Sequence, residues 1–230
     1  MPSMTKQIKT FLLDFDFKSK MKQFYQDCIR MPLYLLTHPI KGFDEFKREK
    51  TSKSYVAWFY LVMMILYQVI AFNATGFLVN RNNPKDFNLF LTISLIIFPV
   101  AMGTIGNWAS TALMDGKGTM TEIFRVICYS FFPIVWLGLT ATIISNFITV
   151  DEIIFYTFFL SLGTILTGYM MFFGLMGIHE YGLFKNILML GFTIVAIAVI
   201  LFVMLLFLSL LQQTFSFIQS VYSEFVMRFL

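Results

Sequence analysis

Long apolar runs separated by short polar segments dominate the chain after residue 54. A bilayer core about 30 Å thick requires roughly 20 apolar residues in a helix. Five runs reach that length without an Asp, Glu, Lys, Arg or His, and they predict five membrane-spanning helices at 55–79, 88–112, 126–147, 153–178 and 186–212. Short connections make neighbouring spans antiparallel and leave 213–230 as a short C-terminal tail.

The composition favours the same fold class. Hydrophobic residues make up 58% of the 230 residues and charged residues 13%, against about 45–50% and about 25% in soluble domains. So little polar surface cannot cover a soluble fold of this size. We therefore predict an all-α polytopic membrane protein, a bundle of five transmembrane helices preceded by amphipathic interfacial helices.

Basic residues are concentrated before the first span. Residues 1–54, the head, contain eleven Lys and Arg and six Asp and Glu. With the head in the cytoplasm, fourteen Lys and Arg lie on the cytoplasmic side and three on the other. This asymmetry predicts a cytoplasmic N-terminus and an outside C-terminus. The apolar stretch 11–13 is followed by Asp14 and Asp16, so we expect no cleavable signal peptide.

The head has the pattern of amphipathic helices. Phe24, Cys28, Met31 and Leu35 recur at the period of one helix face, and a second segment starts at Pro39. An apolar stripe beside basic residues is typical of a helix in the headgroup plane. We interpret this segment foremost as a juxtamembrane anchor, with lipid or partner recognition as the alternative. The predicted anchor residues are Ile40, Phe43, Phe46, Lys47 and Arg48.

The sequence offers little chemistry at membrane depth. Coupled transport and intramembrane catalysis usually require ionisable groups within the spans, and the five runs contain none. No metal-ligand spacing and no complete phosphate-binding motif is present. We therefore expect no enzymatic activity, no catalytic residue, no cofactor, no metal, no nucleotide and no nucleic-acid partner.

The segment DGKGTMTE at 115–122 predicts a defined turn between the second and third spans. Gly116 and Gly118 are expected to adopt positive φ there. Thr119 and Glu122 have the spacing of a capping box at a helix start. Lys117 lies at the tip of the turn.

Small and polar residues in the second span predict a close helix contact. Gly103, Gly106, Asn107 and Ser110 recur at steps of three and four residues, which lets a helix backbone approach. Asn107 and Gln68 are amides within apolar runs and are expected to hydrogen-bond another helix. Packing within the bundle is the favoured interpretation, and a face for a partner's helix is the alternative.

Three segments together resemble the bacterial branch of the Yip family, the Ypt/Rab-interacting membrane proteins. They are HPIKGFDEFKREK at 38–50, GNWASTALMDGKGTMTEIFRVICYSFFP at 106–133 and GLMGIHEYGLFKN at 174–186. The resemblance implies five spans, a cytoplasmic N-terminus and a non-enzymatic protein. The candidate interaction or packing residues within these motifs are Asp115, Gly116, Lys117, Gly118, Tyr129, Pro133 and His179.

The resemblance also carries functional expectations. Eukaryotic relatives bind small prenylated GTPases or shape membranes, but the head of this chain lacks their long acidic, Pro-rich region. Some bacterial members look like neighbours of carbohydrate ABC-transporter components. We expect an accessory or scaffold protein of a membrane complex, in the plasma membrane if the source is bacterial. The alternatives are a membrane-shaping or lipid-interacting oligomer, a trafficking factor if the source is eukaryotic, and a small-solute channel or carrier.

Overall fold

The computed structural model describes residues 17–49, 51–80 and 82–229, and within these ranges the regular structure is helical. A π-helical turn, Gln26–Arg30, joins the first two α-helices, and 3₁₀ turns lie at Pro84–Asp86 and Val150–Glu152. The α-helices are α1 (Phe17–Tyr25), α2 (Met31–Thr37), α3 (Pro39–Arg48), α4 (Ser54–Ala74), α5 (Leu89–Met114), α6 (Met120–Ser130), α7 (Phe132–Ile144), α8 (Ile153–His179) and α9 (Leu183–Phe229).

Five helical segments of the described chain are long and apolar enough to cross a membrane. They are Ser54–Ala74, Leu89–Met114, Met120–Ile144, Val150–His179 and Leu183–Arg228. The prediction of an all-α polytopic membrane protein is confirmed. The first span is shorter than predicted, since Thr75 is extended and ends α4.

The third span is two helices rather than one continuous helix. It begins at Met120, six residues before the predicted start, because Thr119 and Glu122 form the expected capping box. It is interrupted at Phe131, and Pro133 lies in the first turn of α7. A proline ring lacks the N–H and crowds the carbonyl four residues earlier, so Pro133 favours a break in the helix at this point. This span forms the centre of the bundle, with most of α6 buried.

The fifth span continues into the predicted tail. Helix α9 has 47 residues, which at 1.5 Å per residue is about 70 Å. The described part of 213–230 therefore forms the last turns of α9.

The head packs onto the bundle through α3, which contacts α8. Phe43 and Phe46 are fully buried in the protein core. A Cβ atom on Gly177 of α8 would lie 2.8 Å from the Cβ of Phe43, and one on Gly174 would lie 3.0 Å from its ring. The two glycines thus allow α3 to approach the backbone of α8.

This packing corrects the prediction that Phe43 and Phe46 anchor the head in the headgroup plane. The apolar stripe of α3 is covered by protein rather than by lipid. Of the predicted anchor residues, Ile40 is exposed, Arg48 pairs with Asp44 on its own helix at 2.6 Å, and Lys47 pairs with Glu180.

The last residues of the head, just before α4, are held by α6. The backbone N–H of Lys53 donates to the Tyr129 hydroxyl at 3.1 Å, and the Arg125 guanidinium donates to the Ser52 hydroxyl and carbonyl. The Lys53 ammonium pairs with Asp27 at 2.6 Å. Tyr129 therefore fixes the head, while Pro133, four residues later, divides the third span.

Candidate functional site

Four of the predicted site residues meet where two turns lie side by side at the head-side end of the bundle: Asn107, Lys117, Gly118 and His179. One turn, 115–119, joins α5 to α6, and the other, 180–182, joins α8 to α9. We call the polar residues gathered there the polar junction: Lys47, Asn107, Lys117, Gly118, His179, Glu180 and Thr193.

His179 is the centre of the polar junction and is 1% exposed. The backbone N–H of Gly118 donates to its Nδ1 at 3.2 Å, so Nδ1 is an acceptor. The proton of a neutral imidazole therefore lies on Nε2, which donates to the Asn107 Oδ1 at 2.9 Å. His179 directly follows the fourth predicted span, which ends at residue 178, and the structure encloses it between helices.

The chain of hydrogen bonds continues from Asn107 into the fifth span. The Asn107 amide donates from Nδ2 to the Thr193 hydroxyl at 3.0 Å, and that hydroxyl donates to the Met189 carbonyl at 2.8 Å. Each donor in this series has one acceptor, which fixes both the histidine tautomer and the orientation of the amide. The expectation that Asn107 bonds another helix is met, and its partner helices are α8 and α9.

Glycines 116 and 118 make room for this imidazole, which differs from the role predicted for them. Neither has positive φ; the left-handed residue of the turn is Asp115, at φ 52°. A Cβ on Gly118 would lie 2.7 Å from the His179 Cε1, and one on Gly116 would lie 2.7 Å from Nδ1. Glycine is needed at both positions for a steric reason, because any larger residue would occupy the space of the ring.

A charged cluster covers the outer side of the polar junction. Glu180 ends α8 in the left-handed conformation, and its carboxylate pairs with Lys117 at 2.6 Å and Lys47 at 3.3 Å. The Lys47 ammonium also donates to the Ile178 carbonyl at 2.6 Å. The hydrogen bonds from Lys117 and then Lys47 hold the pKa of the Glu180 carboxyl below its usual range. The head, the 115–119 turn and the end of α8 are thus linked by one carboxylate.

Tyr181 closes the junction on the remaining side. Its ring stacks on the His179 imidazole with centroids 5.2 Å apart, and its hydroxyl donates to the Met114 carbonyl at 3.0 Å. Burial raises the pKa of the Tyr181 hydroxyl. The Lys185 ammonium lies 4.7 Å from the centre of the same ring.

The small-residue face of α5 packs within the bundle. Gly106 contacts Ile197 of α9, Ser110 is buried and donates to the Gly106 carbonyl, and a Cβ on Gly103 would meet Ile127 of α6 at 3.6 Å. Of the two interpretations given above, the structure supports packing within the bundle. A partner helix cannot use Gly106 while α9 covers it.

Several residues of the junction could not be predicted from the sequence. Thr193, Glu180 and Gly177 lie in or beside apolar runs, and no local spacing links them to Asn107 or Phe43. Glu180 did offer one signal, since a charged residue next to His179 at a helix end suggests a paired group. Gln68, predicted to bond another helix, has no hydrogen bond to any residue that the structure describes.

The arrangement is suited to holding segments together. Both ring nitrogens of His179 and both polar atoms of the Asn107 amide are engaged by protein groups. Among the described residues, no group of three or more His, Cys, Asp or Glu side chains is placed to hold a metal ion. The junction therefore serves to hold the head and the spans together through hydrogen bonds of fixed geometry.

Comparison with known proteins agrees with this architecture. The family model described as the Yip1 domain matches residues 33–218. Searches of curated proteins and of solved structures found no match. The matched range runs from α2 into the second half of α9 and includes every residue of the polar junction. The chain belongs to the Yip1 domain family.

Proposed function

We propose that this protein is a non-enzymatic scaffold, an accessory subunit that holds a membrane complex through its head-side surface. The observation that supports the proposal is the polar junction, in which buried hydrogen bonds join α5, α8 and α9, and the partly buried Lys47 links the head to the end of α8. Buried polar networks that are fully satisfied rigidify the structure around them. A rigid head-side surface is what an accessory subunit requires in order to position a partner.

Lys117 is the group of this surface best placed to meet a partner. Its side chain is 65% exposed although it pairs with Glu180. An exposed pair of this kind contributes little to stability. A partner carboxylate can therefore replace Glu180 at the ammonium without unfolding the turn. A carbohydrate ABC transporter in a bacterial plasma membrane is the complex we favour, with the head in the cytoplasm.

Capture from native membranes tests the scaffold role. The tagged chain, gently solubilised, should co-elute with another integral membrane protein in constant stoichiometry. Lys117→Glu should lose that protein because it reverses the charge at the surface. Lys85→Glu is the matched control, an exposed lysine at the opposite end of the bundle, and should retain it. Elution of the chain alone, or equal capture by both variants, would overturn the proposal.

A second candidate function, a self-associating membrane protein, is favoured by the far end of α9. Asn107 of α5 contacts Thr193 of α9, and the two helices run antiparallel. Eighteen residues separate Leu89, the first residue of α5, from Asn107, so α9 passes the end of α5 near residue 211. The segment from there to Phe229 adds about 27 Å of helix.

This extension has the pattern of a coiled coil. Apolar residues recur every 3.5 residues on average, the repeat that lets two helices supercoil. A second copy in the same membrane has the same orientation and height, so it presents the same stripe in register. The stripe consists of Leu208, Leu211, Phe215, Ile218 and Tyr222, each of which is more than a third exposed.

Particle mass in lipid nanodiscs tests this second candidate. The wild-type chain should form dimers, and Ile218→Asp should reduce them to monomers by placing a charge in the apolar stripe. Ser216→Asp adds the same charge on the other side of the helix and should leave dimers intact. A monomeric wild-type chain at all concentrations would contradict the candidate.

A further inference from the structure

A cavity of about 590 Å³ lies between α4 and α5 in the half of the bundle that is farther from the head. Ligand sites in proteins commonly have volumes of about 300–1,000 Å³. Its walls are largely apolar, with Phe131 at the α6–α7 interruption and Tyr156 of α8 completing the lining. The cavity extends from the middle of α4 to the loop that ends the first span, so it begins within the membrane and opens towards the interface.

Gln68 places an unsatisfied amide in this cavity. It lines the wall on α4 and forms no hydrogen bond with the part of the chain that the structure describes. It lies six residues before the end of α4 at Ala74, about 9 Å along the helix. The Gln68 amide is half-buried and borders the cavity, and a polar group without a partner at membrane depth is unfavourable, so its presence points to a ligand that completes its hydrogen bonds.

Pro99 supplies a second unsatisfied group on the opposite wall. It lies inside α5 and has no N–H, so the carbonyl of Leu95 lacks its usual helical donor. Leu95 and Pro99 both line the cavity. The residues that carry this backbone acceptor and the Gln68 amide thus line the same cavity.

The mouth of the cavity likewise favours a ligand that donates hydrogen bonds. Asp86 is the one charged residue among the described lining residues, beside the amides Asn80, Asn82 and Asn88. A carboxylate accepts hydrogen bonds and repels a phosphate. The occupant should therefore carry hydrogen-bond donors on an uncharged headgroup, attached to an apolar body that fits between two spans.

We propose that this cavity binds a diacyl lipid with an uncharged, hydroxyl-rich headgroup. The acyl chains lie against the apolar walls and continue into the bilayer. The headgroup hydroxyls donate to Asp86 and the Leu95 carbonyl. Gln68 donates to an ester carbonyl of the lipid. The site is independent of the scaffold role and lies at the opposite end of the bundle from the polar junction.

Lipid retention by the full-length chain tests the proposal. The protein is reconstituted with a monoglucosyl diacylglycerol or with a phosphatidylcholine of the same acyl chains, released from the membrane and analysed by native mass spectrometry. The glucolipid should remain bound at least about fivefold more often, because phosphatidylcholine has no donor and one ordinary hydrogen bond contributes about a factor of five to ten. Equal retention of the two lipids would overturn the proposal.

Gln68→Leu separates binding from folding. The substitution should reduce glucolipid retention about five- to tenfold, while the melting temperature of the lipid-free protein stays unchanged or rises, because an unpaired amide is removed from an apolar setting. Gln212→Leu, an exposed amide on α9 outside the cavity, is the control and should retain the lipid. A lower melting temperature for Gln68→Leu would show that the amide serves the fold, and this would contradict the proposal.

Asp86→Asn tests the headgroup selectivity. Removing the carboxylate should increase retention of phosphatidylglycerol, whose hydroxyls suit the site but whose phosphate Asp86 repels. Unchanged discrimination between phosphatidylglycerol and the glucolipid would overturn the role of Asp86.

A dimer that forms without lipid and is lost in Ala71→Phe, a substitution within the cavity wall, would identify a second copy as the occupant instead.

Discussion

At the residue scale, His179 depends on neighbours that have no side chain. A Cβ atom on either Gly116 or Gly118 would come within 3 Å of its ring, and the backbone N–H of Gly118 donates a hydrogen bond to it. The positive φ of the turn belongs to Asp115, which as a short polar residue tolerates the left-handed conformation better than most. In this turn, therefore, glycine provides space and aspartate provides the change of direction.

Gly118→Ala should destabilise the protein. The added methyl would lie 2.7 Å from the imidazole and force it away from Asn107. Overpacking of this kind costs about 1–3 kcal/mol, which a thermal melt in detergent would detect. Gly191→Ala in α9 is the control, because a Cβ there meets nothing within 4 Å. Equal melting temperatures for the two variants would show that the ring has room to move.

Glu180 should make stability depend on pH. Its folded-state pKa is lowered by Lys117 and Lys47, so the contribution is present above the unfolded-state pKa near 4.5 and is lost as the pH falls through the folded-state value. Glu180→Gln should melt below the wild type at pH 7 and converge with it in acid. Glu224→Gln, which removes an exposed pair within α9, should show no such convergence. A Glu180→Gln deficit that persists in acid would contradict the assignment.

At the scale of the elements, the start of α6 determines where the central helix of the bundle lies. The Thr119 hydroxyl accepts from the Glu122 N–H at 3.4 Å, and the Glu122 carboxylate accepts from the Thr119 N–H at 2.9 Å. This capping box satisfies backbone donors that the helix itself leaves without partners. It places the cap directly after Gly118, so the start of the helix and the position of His179 are coupled.

Thr119→Ala should lower the free energy of unfolding by about 0.5–2 kcal/mol, the usual effect of losing an N-cap. Chemical or thermal unfolding of the purified protein measures it. Thr214→Ala is the matched control, since the hydroxyl of Thr214 bonds only its own helix at the Leu210 carbonyl on the exposed end of α9. A loss in the control as large as in Thr119→Ala would argue against the cap.

The spans could be predicted from the sequence because the length of an apolar run is a local property. The capping box was predictable for the same reason, as its residues are three apart. The division at Phe131 was missed because Pro133 is tolerated in many membrane helices. The burial of Phe43 could not be predicted, since a 3.6-residue period identifies a face but not whether protein or lipid covers it. The partner of Asn107, Thr193, is 86 residues away.

At the scale of the whole molecule, topology decides which surface meets which compartment. The fourteen-to-three distribution of Lys and Arg predicts that residues 1–54 are cytoplasmic and that the end of α9 is outside. With Cys28 and Cys128 replaced, a cysteine at Lys20 should resist an impermeant reagent in intact cells, whereas one at Ser223 should react. The opposite labelling pattern would show that the protein is inserted the other way round, and the proposed lipid cavity would then lie in the inner leaflet.

The head and the spans form a single body, joined by the contact of Phe43 with Gly177 and by the ion pair of Lys47 with Glu180. The sequence pattern alone had favoured a head lying on the membrane. Both arrangements shield the apolar face of α3 from water, but protein covers it in the first and lipid in the second.

Amide hydrogen exchange of the full chain in lipid nanodiscs distinguishes them most directly. A docked head predicts that the amides of α3 exchange as slowly as those of the buried end of α8. Gly177→Val should accelerate exchange in α3, while Gly168→Val, on the same helix where a Cβ meets nothing within 4 Å, should leave it unchanged. Rapid exchange throughout α3 in the wild type, or exchange that is identical in both variants, would contradict the docked head.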